Sequence, residues 1–165
     1  MRIFLLGFMG CGKSTIGKAL AKKMRLDFID LDNYITKKEG ISIKQIFDER
    51  GETGFRKIEE IALFESCKKN NVVIATGGGT PCFSKNMRTI LAKGKSVYLK
   101  MEPKELKERL KNQQNERPLI RNKSNKELLS FINSTLLERE QYYNQSDFVI
   151  EEKNRSLEAI LSLLT

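Results

Sequence analysis

The chain has 165 residues, 39% hydrophobic and 31% charged, with a formal net charge of +9 and no histidine. That size suits one domain, residues 1–165, with a real core. No apolar run approaches the roughly 20 residues that span a bilayer, and chemistries built on histidine bases or histidine metal ligands are excluded.

The first element expected is a strand at Arg2–Leu6, entered directly and not through the apolar stretch and cleavage site of a secretory signal. It runs into Gly7-Phe8-Met9-Gly10-Cys11-Gly12-Lys13-Ser14, which satisfies the phosphate-binding pattern Gly-x4-Gly-Lys-Ser/Thr at every fixed position. Ser14 to Met24 reads as a helix with apolar Ile16, Ala19, Leu20 and Met24. A strand, a glycine turn and a helix N-terminus make an anion site, because backbone N–H groups converge there with the positive end of the helix dipole. In that setting Lys13 reaches the β- and γ-phosphates and the Ser14 hydroxyl ligates Mg²⁺.

Alternation continues downstream. Asp27–Asp30 is a short strand, followed by helices at Leu31–Lys38 and Ile43–Glu49, the latter capped by Ser42, with Gly40 and Gly51 as punctuation. A helix over Thr53–Lys69 has Ile58, Ile61, Ala62 and Phe64 as core candidates. Val72–Ala75 is a buried strand ending in Thr76-Gly77-Gly78-Gly79. A helix at Ser84–Ala92, a strand at Ser96–Lys100 and a helix opened by Pro103 follow. Residues 112–124 are polar, contain Pro118 and read as a loop. The longest helix is Asn125–Asn144, with Leu128, Leu129, Ile132, Leu136 and Leu137 on its apolar side; Phe148–Ile150 and Ser156–Leu164 close the chain as strand and helix. Five strands separated by helices predict an α/β sandwich around a parallel sheet. Ligands bind such sheets at the strands' C-terminal ends. Three polar elements sit there: the Gly7–Ser14 loop, Asp30 with Asp32, and Gly77–Gly79.

These elements suit phosphoryl transfer, which asks mainly for positioning and charge neutralisation. Asp30 can reach a metal through water, while Asp32 can orient or deprotonate an acceptor hydroxyl; the plain alternative for both is helix capping. Arg56 and Glu59, three apart, share a helical face, so Arg56 can bind a carboxylate with Glu59 holding its guanidinium; a solvated ion pair is the alternative. Gly77–Gly79 let the backbone approach a ligand and offer N–H donors. Arg117 and Arg121 lie in a loop suited to be a lid that brings positive charge onto phosphates. Arg139, between Glu138 and Glu140, reads as a surface ion pair.

The three cysteines, Cys11, Cys67 and Cys82, are odd in number and widely spaced, as expected of reduced thiols in a cytoplasmic protein. Cys67 and Cys82 read as inert packing residues. Cys11, inside the loop and close to Lys13 and a helix N-terminus, is expected to be a reactive thiol that nucleotide protects. Of the positive excess, residues 100–126 carry nine basic and four acidic side chains, with no interleaved aromatics. Phosphorylated small molecules fit that distribution; nucleic acid and membrane are not expected partners.

The motifs together resemble the shikimate kinase family over nearly the whole chain. Its signatures occur in order: Gly7–Thr15, Asp30-Leu31-Asp32, Gly51-Glu52-Thr53-Gly54-Phe55-Arg56, Thr76–Gly79 and Arg117-Pro118-Leu119. The resemblance implies ATP-dependent phosphorylation of the 3-hydroxyl of shikimate, on the route to chorismate and aromatic amino acids. It further implies a nucleoside-monophosphate-kinase fold with strand order 2-3-1-4-5. ATP and Mg²⁺ would be held by Gly10, Cys11, Gly12, Lys13, Ser14 and Thr15, with Asp30 on the hydrated metal. Shikimate would be held by Asp32, Arg56, Glu59, Gly77, Gly78, Gly79 and Arg139, with Arg56 and Arg139 on its carboxylate, so the family match promotes Arg139. Phe47 and Phe55 would line the acceptor pocket. Lys13, Asp32 and Arg117 would be catalytic, Arg117 from a lid at 112–124, and residues 31–60 would form the acceptor-binding segment. Arg109 would flank adenine, with Asn154 and Arg155 on its other side. A monomer fits this size. Two rivals differ in class: a small-molecule kinase for another acceptor, which has no need of Arg56 beside Gly77–Gly79, and a nucleotide-binding regulatory module without turnover, which has no need of Arg117. A GTPase reading fails because Asn122-Lys123-Ser124-Asn125 lacks the guanine-reading aspartate.

Overall fold

Ile3–Leu6 and Val72–Ala75 contain no polar residue, so neither can lie with one face in water, and each asks for a central place in a sheet covered on both sides. The computed structural model, which describes residues 1–164 and the backbone alone of Glu116, puts them there. β1 (Arg2–Leu6) and β3 (Val72–Ala75) are neighbours in a five-stranded sheet with β2 (Asp27–Asp30), β4 (Lys95–Leu99) and β5 (Phe148–Ile150). The order is β2-β3-β1-β4-β5, and every pair is parallel, with Arg2 opposite Val72 and Ile3 opposite Lys95. Every residue from Ile3 to Leu6 and from Val72 to Ala75 is buried, whereas the outer strands β2 and β5 leave Asp27 and Val149 exposed. The expected strand order is therefore observed.

The helices are α1 (Lys13–Met24), α2 (Leu31–Glu39), α3 (Ile43–Ser66), α4 (Asn86–Lys93), α5 (Pro103–Leu110), α6 (Asn125–Tyr143) and α7 (Leu157–Leu164). Local chemistry explains their starts. Asp30 caps α2 by accepting from the Asn33 N–H, and Ser42 with Gln45 and Ser124 with Glu127 form reciprocal capping boxes on α3 and α6. Pro103 sits in the first turn of α5, where its missing N–H costs nothing.

Several sequence expectations are corrected. Ile61 and Phe64 are exposed, not core, and Leu137, read on the apolar side of its helix, is exposed as well. In α3 the buried face is Phe55, Arg56, Glu59, Ala62, Leu63 and Ser66, so two charged residues occupy the stripe expected to be apolar. The 112–124 segment is not a plain loop but holds two single 3₁₀ turns, Gln114–Glu116 and Pro118–Ile120, and a third, Thr80–Cys82, follows the triple glycine. The helix expected from Ser84 begins at Asn86. Thr165, the last residue of the expected domain, lies outside the described residues.

The two helices expected on either side of Gly51 meet there as one kinked element. Gly51 has φ 64° and ψ −177°, a backbone geometry open essentially only to glycine. Nothing lies within 4 Å of where a Cβ would sit, so a side chain there would meet no clash. The Gly51→Ala variant is expected to lose about 1–3 kcal/mol of stability from backbone strain alone. Urea unfolding measures it, and an unchanged midpoint would show that the kink does not depend on glycine.

Candidate active site

The strand order reverses direction at β1, whose neighbours β3 and β4 belong to opposite wings of the sheet. Their C-terminal ends open into a cleft with two chambers. The larger, about 660 Å³, is lined by Gly10, Gly12, Lys13, Ser14, Thr15, Asp30 and Arg109, with Thr76 and Asn112 among others. The smaller, about 130 Å³, is lined by Met9, Ile43, Phe47, Phe55, Arg56, Glu59, Gly79, Pro118, Leu119 and Arg139. Met9, Asp32, Gly77, Gly78 and Arg117 line both, so they stand at the passage between them.

The first chamber is built by the loop after β1. Gly7, Gly10 and Gly12 all have positive φ, which lets the chain coil around a central hollow. Lys13 is buried, and its ammonium donates to the carbonyls of Gly7 (2.7 Å) and Phe8 (2.9 Å). The Ser14 hydroxyl donates to Asp30 Oδ2 at 2.5 Å. Arg109 pairs with Glu105 at 3.1 Å on the chamber wall. Cys11 does not line the chamber: its side chain is 1% exposed and packs in the core, so an accessible reactive thiol is ruled out by access. Burial raises the thiols of Cys67 and Cys82, the latter to about 11, in keeping with inert packing residues. Arg155 does not line the larger chamber. Its guanidinium donates to the carbonyls of Cys11 (2.9 Å) and Lys100, bracing the phosphate loop from outside the chamber, and Asn154 is beside it.

The second chamber is unusual in its buried charge. Arg56 (8% exposed) donates from Nη1 to Glu59 (1% exposed) at 2.7 Å and from Nη2 to Glu52 at 3.1 Å. The Phe83 ring lies 4.0 Å from its guanidinium carbon. Arg139, 7% exposed, corrects the surface ion-pair expectation: its neighbour Glu140 pairs instead with Lys100, and Arg139 points inward over Phe8. Arg56 Nε and Arg139 Nη1 are buried with no hydrogen-bond partner among the described residues. The triple glycine explains the crowding. A Cβ on Gly79 would fall 2.6 Å from Arg56 Nη2, and one on Gly77 would fall 2.8 Å from Glu59 Oε1. Tyr143 donates its hydroxyl to the Gly78 carbonyl and fixes that backbone.

Asp32 opens onto the passage. Burial, then the carboxylates of Glu59 and Asp30, push its pKa from the ordinary 3.8 up to about 6, against the opposing pull of Lys13 and Arg117. Arg117 is tied to Gln113 Oε1 by Nε (3.3 Å) and Nη2 (3.2 Å); Arg121, the other lid candidate, is exposed and lines neither chamber. Sequence reasoning missed Met9 and Ile43 as lining residues, since apolar residues in a loop or first helical turn carry no distinctive signal.

A glycine-cradled anion chamber joined through a carboxylate to a cationic pocket defines a phosphate-loop kinase of small molecules. The sequence model of the family described as shikimate kinase matches residues 9–165. A shikimate kinase of Azobacteroides pseudotrichonymphae is 46% identical, with 99% of this chain and 96% of that protein covered. The crystal structure of shikimate kinase from Bacteroides thetaiotaomicron superposes with a TM-score of 0.91 at 40% identity, covering 99% and 96% of the two chains. The solved structure of shikimate kinase from Acinetobacter baumannii in complex with shikimate gives 0.88 at 31% identity, covering 98% and 88%. The chain belongs to the shikimate kinase family.

The raised pKa of Asp32 has a consequence for stability. A carboxyl held at about 6 in the folded chain and near 3.8 when unfolded is destabilising once ionised, so its cost is full above pH 6 and absent below 3.8. Asp32→Asn is therefore expected to melt above the parent at pH 8, with the gap closing as pH falls through 6 towards 4. A gap independent of pH would show that the strain at this carboxylate is not electrostatic.

Proposed function

We propose that the cleft transfers the γ-phosphoryl group of ATP to the 3-hydroxyl of shikimate, giving shikimate 3-phosphate for chorismate and aromatic amino-acid synthesis. The observation that carries this reading is the pair of buried guanidinium groups, Arg56 and Arg139, each with a buried N–H that no group among the described residues accepts. Burying such donors is costly unless a ligand completes them. Among the described residues the lining of the smaller chamber sets Arg56, Arg117 and Arg139 against Asp32 and Glu59, an excess of positive charge suited to a small acid. Family membership supplies the acid's identity, and ATP is the family's co-substrate.

The roles follow from placement. The larger chamber takes ATP: the loop N–H groups and Lys13 hold the phosphates, with Arg109 on the adenine side. Ser14 and Asp30 offer only oxygen donors, already in contact, and no cluster of three or more His, Cys, Asp or Glu able to hold a metal exists among the described residues. That sparse oxygen set fits Mg²⁺, which keeps several waters and takes its other ligands from phosphates. When bound, Mg²⁺ neutralises phosphate oxygens; Ser14 would ligate it and Asp30 would hold its water. Asp32 takes the proton of the attacking hydroxyl, a task for which a pKa near 6 suits neutral pH better than 3.8 does. Arg117 faces both chambers and stabilises charge on the phosphoryl group in transit. Arg56 and Arg139 hold the carboxylate, Glu59 and the Gly77–Gly79 backbone support the ring side, and Phe47 and Phe55, with ring centroids 4.7 Å apart, form the apolar wall.

Residues 1–165 would form one domain, with 112–124 as a lid and 31–60 as the acceptor wall. A monomer fits a chain of 165 residues. A cytoplasmic setting is supported by free thiols at Cys11, Cys67 and Cys82.

ADP release from Mg-ATP is the direct test, with shikimate against quinate, gluconate and nucleoside monophosphates. Turnover is expected with shikimate and lost in Lys13→Ala; turnover with another acceptor would keep the kinase and reject the carboxylate pocket. The acid limb of kcat/KM is expected near pH 6, falling tenfold per unit below it, and a limb near pH 4 would remove Asp32 from the role of base. Arg56→Lys keeps the charge beside Glu59 but loses the fork, so KM for shikimate should rise by on the order of tenfold with kcat nearly kept. Asp32→Asn should instead lower kcat by roughly 10²–10⁴. The reverse pattern in steady-state kinetics would overturn both assignments.

A further inference from the structure

We propose that Thr80 is a positioning residue for the phosphoryl acceptor: through Glu59 it sets the plane in which Arg56 meets the acceptor carboxylate. Thr80 is fully buried and lines neither chamber. Its hydroxyl donates to Glu59 Oε1 at 2.6 Å, while Glu59 Oε2 accepts from Arg56 Nη1 at 2.7 Å. The last torsion of a glutamate is soft and broadly two-fold, so an ion pair alone leaves the carboxylate free to swing. Fixing one oxygen fixes the other, and with it the guanidinium plane.

Thr80 is itself held from three sides. Its N–H donates to the Gly77 carbonyl at 3.2 Å, and its carbonyl accepts from Nδ2 of the buried Asn86 at 2.9 Å. Pro81 follows it and fixes the local backbone. A Cβ on Gly77 would lie 2.8 Å from Glu59 Oε1 and 2.9 Å from the Thr80 hydroxyl oxygen, so those two oxygens pack against bare backbone with no room to rearrange. The same turn supplies Phe83, whose ring lies 4.0 Å from the Arg56 guanidinium carbon. The segment after the triple glycine thus grips Arg56 twice, through a carboxylate at one edge and an aromatic face at the other. What remains unmatched on Arg56 is Nε.

This inference rests on Arg56 binding the carboxylate, and the experiment separates the two. A double-mutant cycle combines Thr80→Val with Arg56→Lys, reading KM for shikimate, KM for ATP, kcat and the melting temperature. Thr80→Val keeps shape and loses the donor. It is expected to raise KM for shikimate on the order of tenfold, the loss of one hydrogen bond to a charged group, with KM for ATP unchanged. Thr80→Ser should restore the parent value. In the Arg56→Lys background Thr80→Val should add less than twofold, because an ammonium has no plane to orient. Additive effects, a Ser variant as impaired as Val, or an unchanged KM in Thr80→Val would each overturn the role. If Thr80→Val does not fold, Thr80→Ala takes its place under the same criteria. An unchanged KM for shikimate in Arg56→Lys alone would sink the carboxylate reading; a raised one with an additive cycle would sink only the role of Thr80.

Discussion

The ion pair between Arg56 and Glu59 is 2.7 Å long and almost wholly out of water. Taking both charges from solvent is expensive, and their attraction repays that only if the remaining donors and acceptors are matched. Glu59 is matched, by Thr80 as well as Arg56. Arg56 is matched on one side by Glu59 and Glu52 and left open at Nε. Much of the surrounding architecture serves that arrangement. The kink at Gly51 separates the capped start of α3 from the part that carries the pair, and Gly77 and Gly79 give up side chains to make room for it.

The sheet explains why the pair and the phosphate loop meet. β1 and β3 are adjacent and end at the same level, with Thr76 donating both its N–H (3.1 Å) and its hydroxyl (3.0 Å) to the Leu5 carbonyl. The loops leaving these strands therefore start side by side. One becomes the anion cradle and the other the triple glycine, and a Cβ on Gly78 would sit 3.1 Å from the Met9 nitrogen. Asp32, one residue into α2 from the end of β2, completes the row. Three carboxylates (Asp30, Asp32 and Glu59) crowd this edge, and burial together with the other two raises the pKa of Asp32.

Much of this was legible in the sequence, for reasons that differ by element. Ile3–Leu6 of β1 and the whole of β3 announce themselves because they are fully buried and have no polar residues to confuse the pattern. The phosphate loop, the aspartates and the triple glycine are local in sequence, so spacing alone places them. Arg139 was harder, because Glu138 and Glu140 beside it suggest a solvated pair. A signal was nonetheless present: 139 falls on the buried stripe of Leu128, Ile132, Leu136 and Tyr143. In α3 the error ran the other way, since hydrophobicity favoured Ile61 and Phe64 over the register that buries Arg56 and Glu59. Cys11 and Arg155 could not be placed by spacing, because the direction of a loop side chain and the contact of a terminal turn with a loop about 140 residues earlier are products of tertiary packing.

Lys13 is not a bare cation awaiting an anion. Its ammonium is satisfied by the carbonyls of Gly7 and Phe8. Two of its three N–H groups donate to these oxygens, so an incoming anion would meet an ammonium already held in place and not a naked buried charge. An anion long enough to reach both that lysine and the N–H groups of the surrounding loop would gain more there than a lone monovalent one.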